Sequence, residues 1–323
     1  MKKTLATTKL GLITISISLV SGLTAAAIPS ELKLDYAYYA PTSLVVKEQK
    51  LLEKALPKTK IKWVFSQGSN RSLEYLNSGS TDFASTAGLA AVLSRANGSP
   101  IKTVYVQSQP EWTALVVNKD SNIKSLKDLK GKKIAATKGT DPFLFTLQAL
   151  DTVGLGKRDV ELVHLQHPDG KTALERKQVD AWAGLDPLMA SAQVQSGAKL
   201  LYRNVGFNSY SVLSIKENFA KQSPEAVDAV IKVYEQARKW AKANPDKLAE
   251  LLAREAKLPI EVAKLQLSRT NLDQNIPTAK HIAALQKAGS ILTEEDLVRK
   301  GTNINQVVIQ LFDSKYAQKV VKK

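Results

Sequence analysis

The sequence alternates between short β-type runs and helical stretches, and this alternation limits the possible folds more than any other feature. It begins at Leu32 and continues to about Asn204. Strands separated by helices are typical of βαβ units, in which the strands lie parallel in one sheet and the helices cover its faces. We therefore expect an α/β protein.

The alternation occurs in two blocks of similar size. Two blocks predict two α/β lobes, which is the usual division for a chain of this length. The predicted strands of the first block are Leu32–Tyr39, Ile61–Ser66, Asp82–Ser85 and Ile101–Gln107, and those of the second are Thr113–Asn118, Lys133–Ala136, Val160–Leu165, Ala181–Ala183 and Lys199–Arg203.

The chain should cross between the lobes twice, near Trp112–Asn118 and near Asn204–Ser211. The second lobe is then an insertion into the first. In this arrangement residues 28–115 and 206–323 form the first lobe, and residues 116–205 form the second. Open α/β sheets bind ligands at the carboxyl ends of their strands, so we expect a ligand site in the cleft between the lobes.

After a last β-type run at Tyr210–Ile215, the pattern becomes mostly helical. In Glu225–Ala243 the apolar residues recur three and four positions apart and form one face, so this helix should pack on the first lobe. The predicted helices of this C-terminal tail are Glu225–Ala243, Pro245–Lys257, Pro259–Ser268, Ala279–Gly289 and Glu294–Arg299.

Residues 1–27 have the pattern of a signal peptide. Lys2, Lys3 and Lys9 precede an apolar run, Leu10–Val20, and small residues follow at Ala25–Ala27. The apolar run is too short to span the roughly 30 Å hydrocarbon core of a bilayer, which favours cleavage over a retained anchor. The chain has no Cys that could carry a lipid after cleavage. We therefore expect export to the periplasm.

Composition excludes several kinds of chemistry. The 323 residues include no Cys, which rules out disulfides, thiol nucleophiles and iron–sulfur or Cys-based zinc sites. Lys and Arg number 46 against 30 Asp and Glu, a formal charge of +16 that falls to +13 without the three leader lysines. The basic run Lys124–Lys133 has no interleaved aromatic residues. We expect it to be a solvated face, with no nucleic-acid partner.

Three loops share one design, in which a strand ends, small polar or glycine residues follow, and a helix begins. They are Gln67–Asn70, Ser85–Gly88 and Thr137–Pro142. The first amides of a helix lack intrahelical partners and lie at the positive end of its dipole, so they can hold an oxyanion. One such loop alone could simply cap its helix, but three loops from both lobes favour an anion site. The candidate ligand-binding residues in these loops are Gly68, Ser69, Asn70, Thr86, Gly139 and Thr140.

In the third loop, Thr140 is expected to be the main hydrogen-bond donor from the second lobe. We expect Asp141 to cap the following helix and Pro142 to occupy its first position.

Two aromatic residues and one acidic residue complete the candidate site. Tyr39 ends the first predicted strand and Trp112 stands at the first crossing, so both could form the wall of the cleft. Tyr36, earlier in the strand, is expected to pack in the core. Asp186 precedes Pro187 and a predicted helix. Its carboxylate could cap that helix or meet an amine or hydroxyl of the ligand, and the sequence leaves both roles open.

Several catalytic and metal-binding patterns are missing. Asp169–Thr172 contains the end of a P-loop, but Leu165 stands where that motif needs a glycine. His164 and His167 lie on a strand end and a loop, before a predicted helix at Lys171–Lys177, and have no acidic or Cys neighbours at ligand spacing. His281 is distant in the sequence, so we expect structural or solvent-exposed roles for all three. We expect a binding protein, not an enzyme, with no cofactor and no metal.

Segments of the chain, in order between Leu32 and Ile215, resemble the periplasmic solute-binding proteins of ABC importers for aliphatic sulfonates, taurine and nitrate. The helical tail is not diagnostic. The segments that carry the resemblance are Gly79–Phe83, Asn118–Ala135, Lys138–Thr140, and Val179–Trp182 with Asp186 and Pro187.

The resemblance implies a type II periplasmic-binding-protein fold, with two α/β lobes, parallel-type sheets and two hinge crossings. It also implies that a small anionic solute is captured by closure of the lobes and delivered to an inner-membrane permease. Nothing suggests an oligomer, so we expect a monomer. The ligand loops of the family correspond here to Tyr39–Pro41, Gly68–Asn70, Ser85–Gly88, Glu111–Thr113, Gly139–Thr140 and Asp186.

Two departures from the family leave the ligand's identity open. Similar sulfonate binders often carry a Thr-Gly-Glu-Thr-Pro type of loop, whereas Thr86 is followed here by Ala87–Ala90. Gly184 and Leu185 stand where the family often has a bulky aromatic residue, which predicts a roomier pocket. The alternatives are nitrate, a thiamine-precursor pyrimidine, or a pyrimidine-synthase-like enzyme on the same fold. The absence of Cys argues against the enzyme.

Overall fold

A computed structural model describes residues 28–321. The predicted signal peptide, residues 1–27, lies outside the described residues. The strands are β1 Glu31–Tyr36, β2 Lys60–Phe65, β3 Phe83–Ala87, β4 Ile101–Pro110, β5 Leu115–Val117, β6 Lys133–Ala135, β7 Glu161–Val163, β8 Ala181–Ala183, β9 Lys199–Tyr202, β10 Ser211–Lys216 and β11 Thr270–Asn271.

Helices follow most strands. The helices are α1 Pro41–Glu48, α2 Leu51–Ala55, α3 Ser69–Ser78, α4 Gly88–Ala96, α5 Asp141–Asp151, α6 His167–Glu175, α7 Leu188–Ser196, α8 Glu217–Gln222, α9 Pro224–Ala243, α10 Pro245–Ala256, α11 Ile260–Ser268, α12 Ala279–Glu294, α13 Ile304–Leu311 and α14 Lys315–Val321, with short 3₁₀ turns at Leu126–Leu129 and Val205–Phe207.

The strands form two sheets, one in each lobe. The first sheet has the order β11-β4-β10-β3-β1-β2, and the second has the order β7-β6-β8-β5-β9. Strands joined through helices are parallel, as β1 is to β2 and β3, and as β6 is to β7 and β8. The strands next to the crossings, β10 and β5, add antiparallel pairs to the predicted parallel arrangement.

The chain crosses between the sheets at residues 111–114, after β4, and at residues 203–210, before β10. The two crossings lie side by side. The amide of Thr113 donates to Asn208 Oδ1 at 2.8 Å, and Asn208 Nδ2 donates back to the carbonyl of Thr113 at 3.3 Å. These bonds join the two connections into one hinge.

The first lobe has its core between the first sheet and helices α1, α9 and α10. The predicted apolar face of α9 is buried, and Val230 and Tyr234 are fully inaccessible to solvent. The expectation that this helix packs on the first lobe is confirmed. Burial of apolar side chains of this size stabilises the fold by about 1.5–3 kcal/mol each.

The C-terminal tail differs from the sequence-based expectation. Helix α12 continues past Gly289 to Glu294, and the predicted helix Glu294–Arg299 is wrong. Gly289 lies inside the helix and does not end it. Its role is close packing against α13, because a Cβ there would lie 2.5 Å from Ile304 Cγ2. Asp296 adopts a left-handed conformation, with φ of 51°, so the chain turns away where the predicted helix would run.

Within residues 28–321, no helix has the length and apolar character needed to cross a membrane.

Candidate functional site

A cavity of about 170 Å³ lies between the two lobes, beyond the carboxyl ends of β1, β2 and β8. Much of its wall is apolar, and the side chains of Leu258 and Ala256 close it from the tail. The first lobe contributes Tyr38, Tyr39, Phe65, Ser66 and Gln67, and the second contributes Pro168, Leu185, Asp186, Pro187 and Leu188.

A larger groove of about 650 Å³ lies outside the cleft, beside β11 and the start of α10. Its charged side chains are already paired, because Lys242 binds Asp273 and Glu111 accepts two hydrogen bonds from Arg203. The cavity between the lobes is therefore the better candidate for a charged ligand.

Three helices begin without a side-chain cap where the lobes face each other. The N-cap residues of α3, α5 and α6 are Gly68, Thr140 and Gln166, and none of their side chains accepts a hydrogen bond from the first turn. Uncapped first turns present unpaired amides at the positive end of each helix dipole. Such ends bind oxyanions.

The three helix starts converge on Asn70. Asn70 Nδ2 donates to Gln166 Oε1 at 3.4 Å across the lobe boundary, and a Cβ on Gly139 would lie 3.6 Å from Asn70 Cβ. A Cβ on Gly68 would lie 2.7 Å from His167 Nε2 and 3.0 Å from Asn70 Oδ1. Glycine at position 68 therefore allows the His167 ring of the second lobe to approach the start of α3 closely.

Ser69 has a hydroxyl that can serve a ligand. Its Oγ accepts a hydrogen bond from the amide of Ala87 at 2.8 Å, and its own proton has no acceptor among the described residues. Ser69 is nearly buried at the lobe boundary, with 5% of its surface exposed. A ligand oxygen would satisfy this remaining donor.

The Thr86 hydroxyl does not face the cleft, where the predicted role in ligand binding would require it. It is buried within the sheet and faces Ser214 Oγ at 3.4 Å. The first amides of α4 are also used, because Gly88 donates to the carbonyl of Tyr210 and Leu89 donates to Ser209 Oγ. The hinge therefore occupies this helix start, and the role of Thr86 in ligand binding stays a prediction.

The third predicted loop begins its helix one residue earlier than expected. Thr140 is the N-cap of α5, so the prediction that Asp141 caps this helix is wrong. The Thr140 hydroxyl donates to the carbonyl of Thr137 at 2.6 Å, which leaves its amide as the donor for a ligand. Gly139 before it has φ of 79°, a left-handed conformation that favours glycine.

Asp141 ties the second lobe to the hinge. Its carboxylate accepts hydrogen bonds from Trp112 Nε1 at 3.1 Å and from the amide and hydroxyl of Ser209 at 2.8–2.9 Å. Trp112 and Ser209 belong to the two different crossings. Burial raises the pKa of Asp141 to about 6, against these hydrogen bonds, which lower it.

Tyr39 and Trp112 form the aromatic part of the site. Their rings meet edge to face with centroids 5.8 Å apart, and the Tyr39 hydroxyl donates to the carbonyl of Ser85 at 2.9 Å. Both polar atoms are thus used inside the protein, so the two residues offer their ring surfaces. Tyr36 is half-buried and packs against the core of the first lobe, with its ring tilted against that of Phe65 at a centroid distance of 5.4 Å.

Asp186 performs the capping role that the sequence left open, and it also pairs with a buried cation. Its Oδ1 accepts from the amide of Ala190 in α7 at 2.8 Å, and its Oδ2 lies 3.5 Å from Arg269 Nη1. Arg269 follows α11 of the tail and also donates to Gln193 of α7. Burial raises the pKa of Asp186 to about 6, while Arg269 lowers it. Asp186 Oδ2 has no hydrogen bond within residues 28–321.

His167 lies beside Gly68 at the candidate site, whereas its sequence context predicted a structural or solvent-exposed role. It is the first residue of α6 and is completely buried, and its Nε2 has no hydrogen-bond partner in the described part of the chain. Helix α6 was expected to begin at Lys171, which placed His167 in a loop. The signal was present in Pro168, since Pro favours the first turn of a helix and Pro142 marks the start of α5 in the same way.

A family model described as NMT1/THI5 like matches residues 60–248. The chain belongs to this family. Among curated relatives of this NMT1/THI5-like protein is a putative aliphatic sulfonates-binding protein of Escherichia coli, 29% identical over 87% of this chain and 89% of the relative. Among solved structures, the alkanesulfonate-binding protein SsuA of Xanthomonas axonopodis pv. citri bound to MOPS has a TM-score of 0.81 at 26% identity, covering 87% of this chain and 98% of that one.

The periplasmic aliphatic sulphonate binding protein SsuA of Escherichia coli is also similar, with a TM-score of 0.76 at 27% identity over 89% of this chain and 94% of that one. These comparisons confirm the resemblance to solute-binding proteins and the predicted two-lobed α/β fold of this NMT1/THI5-like chain. In the part of the chain that the structure describes, no cluster of three His, Asp or Glu side chains is arranged to hold a metal ion.

Proposed function

We propose that this protein is the periplasmic solute-binding component of an ABC importer and that it captures an aliphatic sulfonate or a related small organic anion. The observation that carries the proposal is the meeting of three uncapped helix starts, from both lobes, at Asn70 and Gly68. Amides and hydroxyls can hold a sulfonate there without a buried cation. The sulfonate-binding relatives support the same assignment.

The headgroup would bind to both lobes at once. The first lobe offers the free hydroxyl of Ser69 and the first amides of α3, and the second offers the amides at Gly139 and Thr140. Only the closed arrangement brings both sets together. A ligand that contacts both lobes binds the closed state better and stabilises it, with the joined crossings at Thr113 and Asn208 acting as the hinge.

The cavity beside the headgroup site suits an apolar tail. Phe65, Leu185, Leu188 and Leu258 line it, and its volume is about 170 Å³. A short alkyl chain would gain free energy by leaving water, whereas nitrate has no atoms to fill this space. The cavity therefore supports an organic anion over nitrate.

Delivery to an inner-membrane permease and residence in the periplasm are parts of the same proposal. The predicted signal peptide at residues 1–27 supports export. Two relatives, from Escherichia coli and Bacillus subtilis, are putative aliphatic sulfonates-binding proteins. We propose that this chain likewise binds its ligand without transforming it, and that it acts as a monomer.

A thermal-shift screen of the mature protein tests the ligand class. Pentanesulfonate, taurine, MOPS, nitrate, sulfate and an aminopyrimidine would be compared at equal ionic strength. We expect organic sulfonates to raise the melting temperature, because a ligand that binds only the folded state stabilises it by mass action. A shift with nitrate or the pyrimidine and none with any sulfonate would contradict the proposal.

A further inference from the structure

His167 combines complete burial with a polar atom that has no partner. Its Nδ1 lies 3.1 Å from Thr137 Oγ1, while its Nε2 faces Gly68 at the start of α3, where a Cβ would approach it to 2.7 Å. Buried polar atoms are nearly always paired, so an unpaired ring nitrogen at the boundary between the lobes calls for a partner that arrives from outside. The unpaired Oδ1 of Asn70 lies beside the same position.

The hydrogen bonds around Thr137 assign the protons of the ring. Thr137 Oγ1 lies 2.7 Å from the carbonyl of Leu165, which can only accept, so the single hydroxyl proton points there. The 3.1 Å contact with His167 Nδ1 then requires the proton of that bond to come from the ring. The ligand-free ring is therefore the Nδ1–H tautomer, with a lone pair on Nε2.

A lone pair on Nε2 repels an anion. Rotation of the Thr137 hydroxyl can change the ring to the other tautomer, in which Nε2 carries the proton. If the hydroxyl turns from Leu165 to His167 Nδ1, the ring proton moves to Nε2 and becomes a donor directed at the cleft. The Leu165 carbonyl loses one neutral hydrogen bond, and the ring gains one to a charged oxygen, which is stronger. The exchange needs no net uptake of protons.

The surroundings of the ring favour an anion over a cationic group. His167 begins α6, and the starts of α3 and α5 lie next to it through Gly68, Asn70 and Gly139. Three positive helix ends would repel an ammonium group and attract an oxyanion. Burial lowers the pKa of His167 to about 3, so the ring is neutral near pH 7 and donates through N–H without carrying charge.

We propose that His167 is a ligand-contacting residue that changes tautomer on binding, donating Nε2–H to an oxygen of the captured anion while the Thr137 hydroxyl turns to Nδ1. The inference rests on the proposed function in that it takes the ligand to be an anion held in the cleft. It adds the start of α6 to the starts of α3 and α5, which are the two of the three predicted helix starts that the hinge does not occupy.

Nitrogen-15 NMR of histidine-labelled protein tests the inference, because the chain contains three His. Spectra would be taken near pH 7.5 without ligand and after saturation with pentanesulfonate, with saturation established by calorimetry. We expect His167 to be Nδ1–H in the free protein and Nε2–H in the complex. His281 is an internal control, since its Nδ1 accepts from the amide of Thr278 at 3.0 Å and should stay Nε2–H throughout.

Two results in these spectra overturn the inference alone. One is a free protein in which His167 is already Nε2–H. The other is a saturated complex in which its tautomer is unchanged or the ring has become doubly protonated. If neither pentanesulfonate nor MOPS, sulfate or nitrate binds, the proposed function fails first, and the inference fails with it.

Substitutions provide an independent measurement. His167→Phe keeps the ring's bulk but removes the donor, and we expect pentanesulfonate affinity to fall by about tenfold or more, as for a lost hydrogen bond to a charged group. His167→Gln retains an N–H and should stay within about threefold of the parent protein. His164→Gln, at an exposed site on the same segment, is the matched control. Equal affinities for all three variants would overturn the inference.

Discussion

At the scale of single residues, a buried polar cluster supports the first lobe's part of the site. Asp35 on β1 is completely buried, and it bonds to the Ser72 hydroxyl and to the amide of Ser85 at 2.7 Å. The Ser72 hydroxyl also lies 2.9 Å from the carbonyl of Ser85. One hydroxyl proton cannot serve both acceptors, so a protonated Asp35 that donates to Ser72 satisfies every group. Burial accordingly raises the pKa of Asp35 to about 6.

Asp35→Asn should therefore be tolerated, because its amide mimics the protonated acid. Because burial raises the folded-state pKa of Asp35 from 3.8 to about 6, the protonated carboxyl contributes its full stabilisation of the folded protein below pH 3.8. This stabilisation is lost as the pH rises from 3.8 through about 6. Asparagine does not ionise. We expect the stability of the variant relative to the parent protein to improve by about 1 kcal/mol between pH 5 and pH 7, measured by urea unfolding. A relative stability that does not change with pH would show that Asp35 is ionised in the folded protein.

Ser69 and Thr140 should differ in their effect on binding, although both were predicted as hydroxyl donors. Ser69→Ala removes a proton that has no acceptor within the protein, and we expect affinity for pentanesulfonate to fall by about tenfold. Thr140→Ala removes a hydroxyl that already donates to Thr137, so the loss should be smaller. Titration calorimetry of both variants decides the order. A larger loss for Thr140→Ala would contradict the assignment of the donors.

The sequence predicted where glycine and hydroxyl residues cluster, but not which way each side chain points. Ser69 and Thr86 looked equivalent, yet the Ser69 hydroxyl accepts from the amide of Ala87 and keeps its own proton free among the described residues, whereas the Thr86 hydroxyl faces Ser214 on a neighbouring strand. Strand pairing decides this orientation, and β10 reaches β3 from more than 100 residues away. His167 was missed because the start of α6 was placed four residues too late.

At the scale of elements, closure depends on how near α3 and α6 can approach. Gly68 precedes α3, and its backbone lies against the ring of His167 at the start of α6. Any side chain at position 68 would enter the space between the two helix starts. If closure brings the lobes together as we propose, this contact forms on closure, and a substitution at position 68 should affect closure without affecting the folding of either lobe.

Gly68→Ala should weaken ligand binding while leaving the fold intact. The new Cβ would lie 2.7 Å from Nε2 and 2.9 Å from Cδ2 of the buried His167 ring, closer than real Cβ contacts come, so we expect that the lobes cannot close fully. We expect pentanesulfonate affinity to fall on the order of tenfold or more, since affinity scales with the fraction of closed protein. Gly156→Ala is the control, because its Cβ would meet its nearest neighbour at an ordinary 3.5 Å. Equal affinity in both variants would contradict this geometry.

The alternation of strands and helices predicted most elements of both lobes to within a few residues, because burial of apolar faces imposes these periods locally. The tail was less predictable. Helices α13 and α14 were not foreseen, and α12 is longer than expected. Their boundaries depend on packing against α4 and α9, which a local pattern does not record.

At the scale of the whole molecule, the tail helps to hold the lobes together. Arg269, just after α11, reaches across to Asp186 and Gln193 in the second lobe. Arg269 and Asp186 are both buried, with 8% and 1% of their side chains exposed. A buried carboxylate that loses its cation destabilises the arrangement that buries it. The pair therefore favours the closed state before any ligand binds.

Arg269→Gln should open the ligand-free protein. We expect its radius of gyration in small-angle X-ray scattering to exceed that of the parent protein near pH 7, and to return toward the parent value at saturating pentanesulfonate. Arg254→Gln is the matched control, because Arg254 forms an exposed pair with Glu48 that contributes little. Identical scattering from Arg269→Gln and the parent protein would show that this ion pair does not hold the lobes.

In our proposal the cleft between the lobes captures an organic sulfonate. Titration calorimetry of the mature protein with pentanesulfonate tests it most directly, with sodium nitrate as the competing anion at the same ionic strength. We predict saturable binding of one pentanesulfonate per chain, which Gly68→Ala weakens and Gly156→Ala leaves unchanged. No saturable heat with pentanesulfonate, taurine or MOPS, or binding that Gly68→Ala does not affect, would contradict the account.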